Sequence, residues 1–566
     1  MDMVSKSLNL AEAEAFRMFT RLQMPISLPG YGLKTGVRGL LSSVALGFVL
    51  AAGLVSAGLP VAAKSTAFSQ SLAIAAADDE EVAAWYRDTA YDTLWTGPED
   101  AARRQALIAA LETAGDHGLP VARYDLAGIR AALASARTEG DLGRLEVKMT
   151  RAWLDWARDV SSGALDPAKI DSTIVREITR PDSYALLRAI ATRDPATVAR
   201  RLLPDSDAYV QLMKTRFDLE ELSASGGWGP QVPAGALEPG ATGERVVILR
   251  DRLIAMGWLS PTPTAVYDRM VQNAVMNFQR AHGLPADGVA GGDTLAEINK
   301  EPEDRMKSVL VAMERERWMD IDRAGRMIWV NLTDFSAEII DDGRVTFRTR
   351  SVIGREEMDR RTPEFSDMMD HMVVNPSWGV PRSIIVGEYL PLLRSNPNAV
   401  SHMQIVDRNG RVVPRGSVNF AGYTARSFPF GMRQPPGDNN ALGKVKFMFP
   451  NKHNIYLHDT PAKSLFAHDK RAYSHGCIRL ADPFDFAHAL FRNQAPEIES
   501  EFNQTLKGGR ETPVKLEKKV PIHLVYFTAY PQGHGVMGYR RDVYGRDAKL
   551  WSALSAEGVV ARTVSQ

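Results

Sequence analysis

Between residues 98 and 160, apolar side chains return every three or four positions. "PEDAARRQALIAALETAG" (98–115) and "RLEVKMTRAWLDWARDV" (144–160) each carry one apolar stripe, the pattern of helices packed on a shared core. "DHGLP" (116–120) ends the first, with Gly118 suited to a left-handed cap and Pro120 beyond it. The pattern predicts a helical domain over 78–222 without a catalytic constellation. "SASGGWGPQVPAGALEPGATG" (223–243) breaks the period with Gly, Pro and Ala, and reads as a linker.

Helical spacing resumes over 244–302. "ERVVILRDRLIAMG", "DRMVQNAVMNFQRAHGLPADG" and "GDTLAEIN" predict three helices, the second with Val271, Ala274, Val275 and Phe278 on one stripe. "HGLP" occurs at 117–120 and again at 282–285, which a shared capping role explains without a repeat. From about 303 the period shortens. "GRMIWVNL", "RTRSVIG", "HMVVNP", "KVKFMF", "NIYLH" and "VPIHLVYFTAY" are short runs of β-formers between turn signals, and predict a β-rich domain over 303–566. Within it, "SIIVGEYLPLLRSN" (383–396) reads as a helix and 414–440 as a long irregular stretch. Together they mark an insertion at about 383–440, and loops of that length usually serve as lids or binding segments. The fold class expected is multidomain α+β.

Gly39 to Ala63 carries no charge and follows Lys34 and Arg38. A bilayer core takes about 20 apolar residues, so this run is long enough to span. It is also rich in Gly, Ala and Ser, and "VAA" (61–63) or "AIA" (73–75) offers small-residue cleavage sites. Residues 1–77 are therefore expected to be a signal peptide or an N-terminal membrane anchor, and the rest to be exported. The stretch before Lys34 is long for a signal, which makes Met24 a candidate start.

Composition changes the picture at one point. The 566 residues have a formal net charge of zero, which gives no electrostatic ground for a nucleic-acid partner. They contain a single cysteine, Cys477. Exported proteins use cysteines in pairs, and one thiol cannot close an intramolecular bridge. A catalytic thiol needs an imidazole, because at its ordinary pKa it is only a few per cent ionised. His475 stands two residues before Cys477 and reaches it poorly from the same tight loop. His458 ends the run "NIYLH", where a hairpin partner strand would bring it opposite the cysteine, and it is the expected base. His475 then supports the loop. Gly476 allows close backbone approach, and the N–H groups around Gly476 and Cys477 are candidate oxyanion donors. Asp459 or a backbone carbonyl is expected to orient His458. His453, His458, His468, His475 and Cys477 crowd one segment, but their spacing matches no compact metal-ligand pair, and neither metal nor cofactor is expected.

"HDTP" followed by "SHGCIR" resembles the signature of the L,D-transpeptidase catalytic domain. "NPSWGVP" (375–381), "RQPPGDNNALGKVKFMFPN" (433–451), "YLHDTP" (456–461) and "DVYGRD" (542–547) resemble the large branch of that family, which joins a helical scaffold domain, a peptidoglycan-binding domain and a catalytic domain with a capping insertion. The segment 244–302 is itself similar to the small three-helix peptidoglycan-binding domain. The resemblance implies Cys477 as nucleophile, His458 as base, and Ser474, His475 and Gly476 as the supporting loop. It places Ser474, Arg479, Tyr456 and Trp378 at substrate-pocket positions, although Arg479 also suits a structural ion pair, and Tyr456 and Trp378 suit a core. The implied reaction joins peptidoglycan tetrapeptide donor and acceptor stems in 3→3 cross-links, with loss of D-Ala, in the periplasm or cell envelope. A thiol hydrolase of the same stems, and a wall-binding protein without activity, fit many of the same residues.

Overall fold

The computed structural model describes residues 66–533 and 535–561. The apolar run 39–63 lies outside them, and among the described residues no helix is long and apolar enough to cross a membrane. The expected leader, 1–77, overlaps described structure at its end. Thr66 caps a helix, Ala67–Ala75, whose Leu72 is buried in the same core as the helices that follow. It lies against the long helix Glu139–Ser162 at Gly143, where a Cβ would sit 2.6 Å from the carbonyl oxygen of Phe68. Cleavage at "AIA" (73–75) would cut into this helix.

The helical region is built on helix Glu139–Ser162, whose apolar face carries Trp153 and Trp156 into a core with Tyr86, Trp95 and Leu107. A buried carboxylate orders the loop beside it. Glu146 accepts the N–H groups of Leu94, Trp95 and Thr96 and the hydroxyl of Tyr86, so none of these polar groups is stranded away from water. The three-helix unit comprises Glu244–Ala255, Arg269–Ala281 and Gly292–Ile298, and the expected stripe Val271, Ala274, Val275 and Phe278 forms its centre.

The segment after 302 opens on a helix, Pro302–Arg317, where the change of texture had predicted strands. Pro302 starts it, with Glu303 and Asp304 in the favourable first turn. Met306, Leu310 and Met313 pack with Leu212 and Leu219 of helix Asp207–Ala224 and with Leu550 and Leu554 of the C-terminal helix Arg546–Ala556. This core joins the helical region to the β-rich one.

The strands are β1 (Met327–Asn331), β2 (Ser336–Asp341), β3 (Arg344–Gly354), β4 (Phe365–Val374), β5 (Trp378–Gly379), β6 (Gln404–Val406), β7 (Val412–Val413), β8 (Gly431–Gln434), β9 (Val445–Met448), β10 (Leu457–His458), β11 (Ala472–Ser474), β12 (Ile478–Leu480), β13 (Thr512–Val525), β14 (Ala529–Pro531) and β15 (Met537–Tyr539). Eight of them run in the order β3-β12-β10-β9-β4-β13-β1-β2, and β2 pairs back to β3, closing the circuit. β11 lies parallel to the last residues of β3. Closure leaves fewer sheet edges open to water. β6, β7 and β8 of the insertion make a separate small sheet with β5 just before it, over a core of Ile384, Leu393, Ile405, Phe420 and Phe428.

One ionic network fastens these parts together. Arg315 donates to Glu364 (2.6 Å) and to Asp547 (2.8 and 3.0 Å). Arg546 donates to Glu364 (3.0 Å), Thr173 (2.7 Å) and the carbonyl of Thr362 (2.8 Å). Breaking a buried pair leaves an uncompensated charge, at about 3–5 kcal/mol. Arg546→Met should lower the unfolding free energy by about that amount in urea titration; a loss below about 1 kcal/mol, the worth of a surface pair, would show that the network is not a stabilising hub.

Candidate active site

Strand pairing decides which side chains meet around Cys477. β10 and β12 run parallel, with Leu457 opposite Ile478 and His458 opposite Arg479. The hairpin expected from sequence is therefore replaced by a crossover through 459–477. β9 runs antiparallel on the other side of β10, with Lys446 opposite His458. Paired residues share a face of the sheet, so Lys446, His458 and Arg479 form one row. The next row, Met372, Phe447, Leu457 and Ile478, turns the other way into the barrel core. The Ile478 N–H donates to the carbonyl of Tyr456 (3.1 Å), which extends the ladder by one step and brings Tyr456 and Cys477 to the His458 face.

His458 is buried, and its Nδ1 lies 2.5 Å from the carbonyl oxygen of Asp459. A carbonyl only accepts, so Nδ1 carries the proton and Nε2 keeps its lone pair. Both expected orienting groups thus turn out to belong to one residue, through its backbone. The Asp459 carboxylate faces elsewhere, accepting the N–H of Lys444 (2.9 Å), the N–H of Thr460 (2.7 Å) and the Lys463 ammonium (2.9 Å). It passes so close to Gly443 that a Cβ there would come within 2.1 Å of its oxygen, and Gly443 has φ +60°.

The Cys477 thiol is partly exposed and points its sulfur at the carbonyl of Asn454, 3.6 Å away. Burial pushes the thiol up to about 11, against hydrogen bonding from Tyr456 and the charges of Arg479 and Lys446. Burial and the same two cations press His458 down to about 3, although the Asp459 carbonyl favours its protonated form. The resting pair is neutral thiol and neutral imidazole.

Ser474 is buried and spans its own loop. Its hydroxyl donates to the carbonyl of Cys477 (2.5 Å) and accepts the N–H of Gly476 (3.1 Å). The Ser474 hydroxyl is thus turned into its own loop, and the Gly476 N–H, one of the two expected oxyanion donors, already has an acceptor. The Cys477 N–H donates to no group among the described residues. Gly476 adopts φ +117°, and its carbonyl accepts from Thr362 (2.7 Å). His475 Nε2 donates to the Glu388 carboxylate of the insertion (2.8 Å), and Arg360 donates to the same oxygen (3.0 Å). Burial pushes the Glu388 carboxyl up, but His475, Arg360 and Arg355 outweigh it and hold the group below its ordinary value.

Arg479 makes no ion pair among the described residues, and its buried Nε has no hydrogen-bond partner. The ion-pair alternative finds no support. Tyr456 is buried beside the sulfur, with the Lys446 ammonium 5.8 Å from its ring centroid. Trp378 stands apart from this row and packs between the barrel core and the insertion core. His453 lies against Phe365 and His468 against Tyr473, so the crowded histidines disperse; among the described residues no three metal-ligating side chains gather. Sequence reading missed Lys446, Thr362, Asn454 and Glu388. Only Lys446 had a signal, its alternate position in "KVKFMF", and using it required the β9–β10 register.

With a single cysteine, alkylation reads this thiol alone. The iodoacetamide rate should keep rising from about pH 6 to about pH 10, without the low-pH plateau of a thiolate–imidazolium pair. Arg479→Ala should slow it by roughly threefold at a given alkaline pH, since a thiolate-stabilising charge is lost. A plateau below about pH 8 would overturn the neutral resting pair.

The L,D-transpeptidase catalytic domain (YkuD) matches residues 325–494, the Scaffold domain residues 80–215, and the "Putative peptidoglycan binding domain" residues 242–298. A protein of Haemophilus influenzae named "Putative L,D-transpeptidase" is 31% identical over 242 residues, which is 42% of this chain and 48% of that protein. The chain thus spans about half the length of this curated relative. Two solved L,D-transpeptidase structures align over 52% of this chain: one from Xylanimonas cellulosilytica (98% of that chain, 16% identity, TM-score 0.17) and one from Stackebrandtia nassauensis (97%, 14%, TM-score 0.21). Likeness at those scores adds no argument. The matched domains lie in the order that the helical region, three-helix unit and β-rich barrel follow along the chain, which carries an L,D-transpeptidase catalytic domain behind a scaffold domain and a peptidoglycan-binding domain.

Proposed function

We propose that this protein is a cysteine acyltransferase that forms 3→3 cross-links between peptidoglycan tetrapeptide stems. The observation that carries the reading is the shared face of Tyr456, His458, Cys477 and Arg479, with the imidazole tethered at Nδ1 and free at Nε2. In the first step the Cys477 sulfur attacks the carbonyl between the third residue of the donor stem, a diamino acid, and the terminal D-Ala. The thiol proton passes to His458 Nε2 and then to the departing amine of D-Ala, leaving a thioester. The Cys477 N–H is the oxyanion donor assigned here, in place of the Gly476 N–H that Ser474 occupies. In the second step the side-chain amine of an acceptor stem attacks the thioester. His458 takes its proton and returns one to the sulfur, so the free thiol is restored.

Arg479 supplies an unpaired cation for a substrate carboxylate, and Tyr456 lies on the same face of the sheet as the sulfur. The insertion acts as a lid that excludes water, and Trp378 and the His475–Glu388 contact support this role by joining it to the barrel and the thiol loop. Substrate of this kind implies a cell-envelope location, reached through the N-terminal segment as a cleaved signal or an anchor.

Intact mass after incubation with a tetrapeptide stem tests the reading. A transient adduct of tripeptide mass is expected, absent in Cys477→Ala and cleared faster by added acceptor stem; no adduct at any time would overturn it. Adduct cleared only by water would instead identify a thiol hydrolase. Deleting 398–436 should shift the product balance from transfer toward hydrolysis, and an unchanged ratio in a folded variant would remove the lid role.

A further inference from the structure

A second polar cleft lies on the same barrel, away from the thiol. A cavity of about 480 Å³ opens where the three-helix unit meets β3. Arg280 lines it from the helix Arg269–Ala281, Arg348 and Arg350 from β3, Arg471 from the turn before β11, and Arg540 from just after β15. Asp334, Asp469 and Asp482 are the acids facing them. Asp334 is shared by Arg348 and by Arg540 (2.5 Å), Arg348 also pairs with Glu338 (3.4 Å), and Asp482 accepts the Thr349 hydroxyl (2.8 Å).

The other three arginines donate only to neutral acceptors. Arg350 reaches the carbonyl of Phe466 (3.0 Å), and Arg280 the side-chain oxygen of Asn277 (2.9 Å). Arg471 is fixed by three carbonyls, those of Ser351 (3.2 Å), His468 (2.8 Å) and Phe335 (3.3 Å). Carbonyls orient a guanidinium without cancelling its charge. The cleft therefore keeps a positive excess, on walls that concentrate its field. Its two sides are held in place, because Arg540 also donates to the carbonyl of Ala281 (2.5 Å) and Arg541 pairs with Asp293 (2.7 Å).

We propose that this cleft is a second binding site, taking the carboxylates of a peptide stem of the wall polymer. The assignment rests on the peptidoglycan reading above for the source of the carboxylates, and on the arginine geometry for the site. Guanidinium groups with fixed orientation suit planar, bidentate carboxylates. The position is apt for holding a strand while another part of it reacts. Arg471 immediately precedes β11, and β11 ends at Ser474 in the thiol loop. At roughly 3.3 Å per strand residue, the cleft lies about 10 Å along the strand from that loop.

The test is calorimetric, on full-length Cys477→Ala, which needs no turnover. The probes are a tetrapeptide stem with free carboxylates, the same stem amidated at them, and inorganic phosphate. The expected result is two free-carboxylate stems bound per chain. Adding Arg280→Gln and Arg350→Gln should remove one of them, weakening it by at least about tenfold. Amidated stem should bind both proteins alike. Unchanged stoichiometry and affinity would overturn the proposal, and so would arginine-dependent binding of phosphate without that of the stem. Alkylation of Cys477 in the chain carrying only the two arginine substitutions should match the parent, which shows that the fold is kept. Failure to form the acyl adduct would count against the transpeptidase reading while leaving the arginine-dependent site as the one that remains.

Discussion

Glu364, held between Arg315 and Arg546, is the constraint on which the thiol loop depends. Arg546 also grips the carbonyl of Thr362, and the Thr362 hydroxyl donates to the carbonyl of Gly476, one residue from the thiol. Tyr544 completes the support by donating to the carbonyl of Gly354 beneath the same loop. A glycine at φ +117° has little conformational preference of its own, so its shape is set by these fixed acceptors and donors. Within the motif "DVYGRD" (542–547), Tyr544 and Arg546 thus hold backbone carbonyls beneath the thiol loop.

The same network explains why the domains are less separable than their sequence texture. Thr173 of the helical region binds Arg546, while Arg315 sits on a helix that packs against Leu212 and Leu219. Helical periodicity was legible wherever a helix buries one stripe, as Val271, Ala274, Val275 and Phe278 do. It failed for Pro302–Arg317, which is buried around most of its circumference and so carries charged residues, Glu314, Arg315 and Arg317, inside. A helix whose buried face includes paired charges has no apolar stripe to read. The helix Ala67–Ala75 was obscured differently, by an Ala-rich composition shared with leader segments.

At the candidate site, residue types were legible and their partners were not. A lone thiol with nearby imidazoles marks a candidate chemistry, and among the imidazoles the structure places His458 on the strand beside it, opposite Arg479. The parallel pairing of β10 with β12, the Asp459 carbonyl and the inward turn of Ser474 depend on contacts made through the crossover 459–477. The link from His475 to Glu388 spans 87 positions and joins two elements whose proximity exists only once the barrel has closed.

The electrostatics of the row set a conflict that substrate has to resolve. Arg479 and Lys446 favour a thiolate at Cys477, yet the same charges oppose an imidazolium at His458, and burial opposes both. Proton transfer between the two is therefore unfavourable while the cations stand alone. An anion paired with Arg479 would screen it from His458 and ease protonation of the imidazole, while weakening its help to the thiolate. On the acyl-transfer mechanism proposed above, the balance favours reaction when the charge formed on sulfur moves at once into a carbonyl group, since the oxyanion would then be met by the Cys477 N–H rather than held on sulfur. A resting neutral pair also keeps the partly exposed thiol poorly nucleophilic toward chance oxidants and electrophiles. Under that proposal the arrangement ties reactivity at Cys477 to a ligand that brings both an acceptor carbonyl and a negative charge.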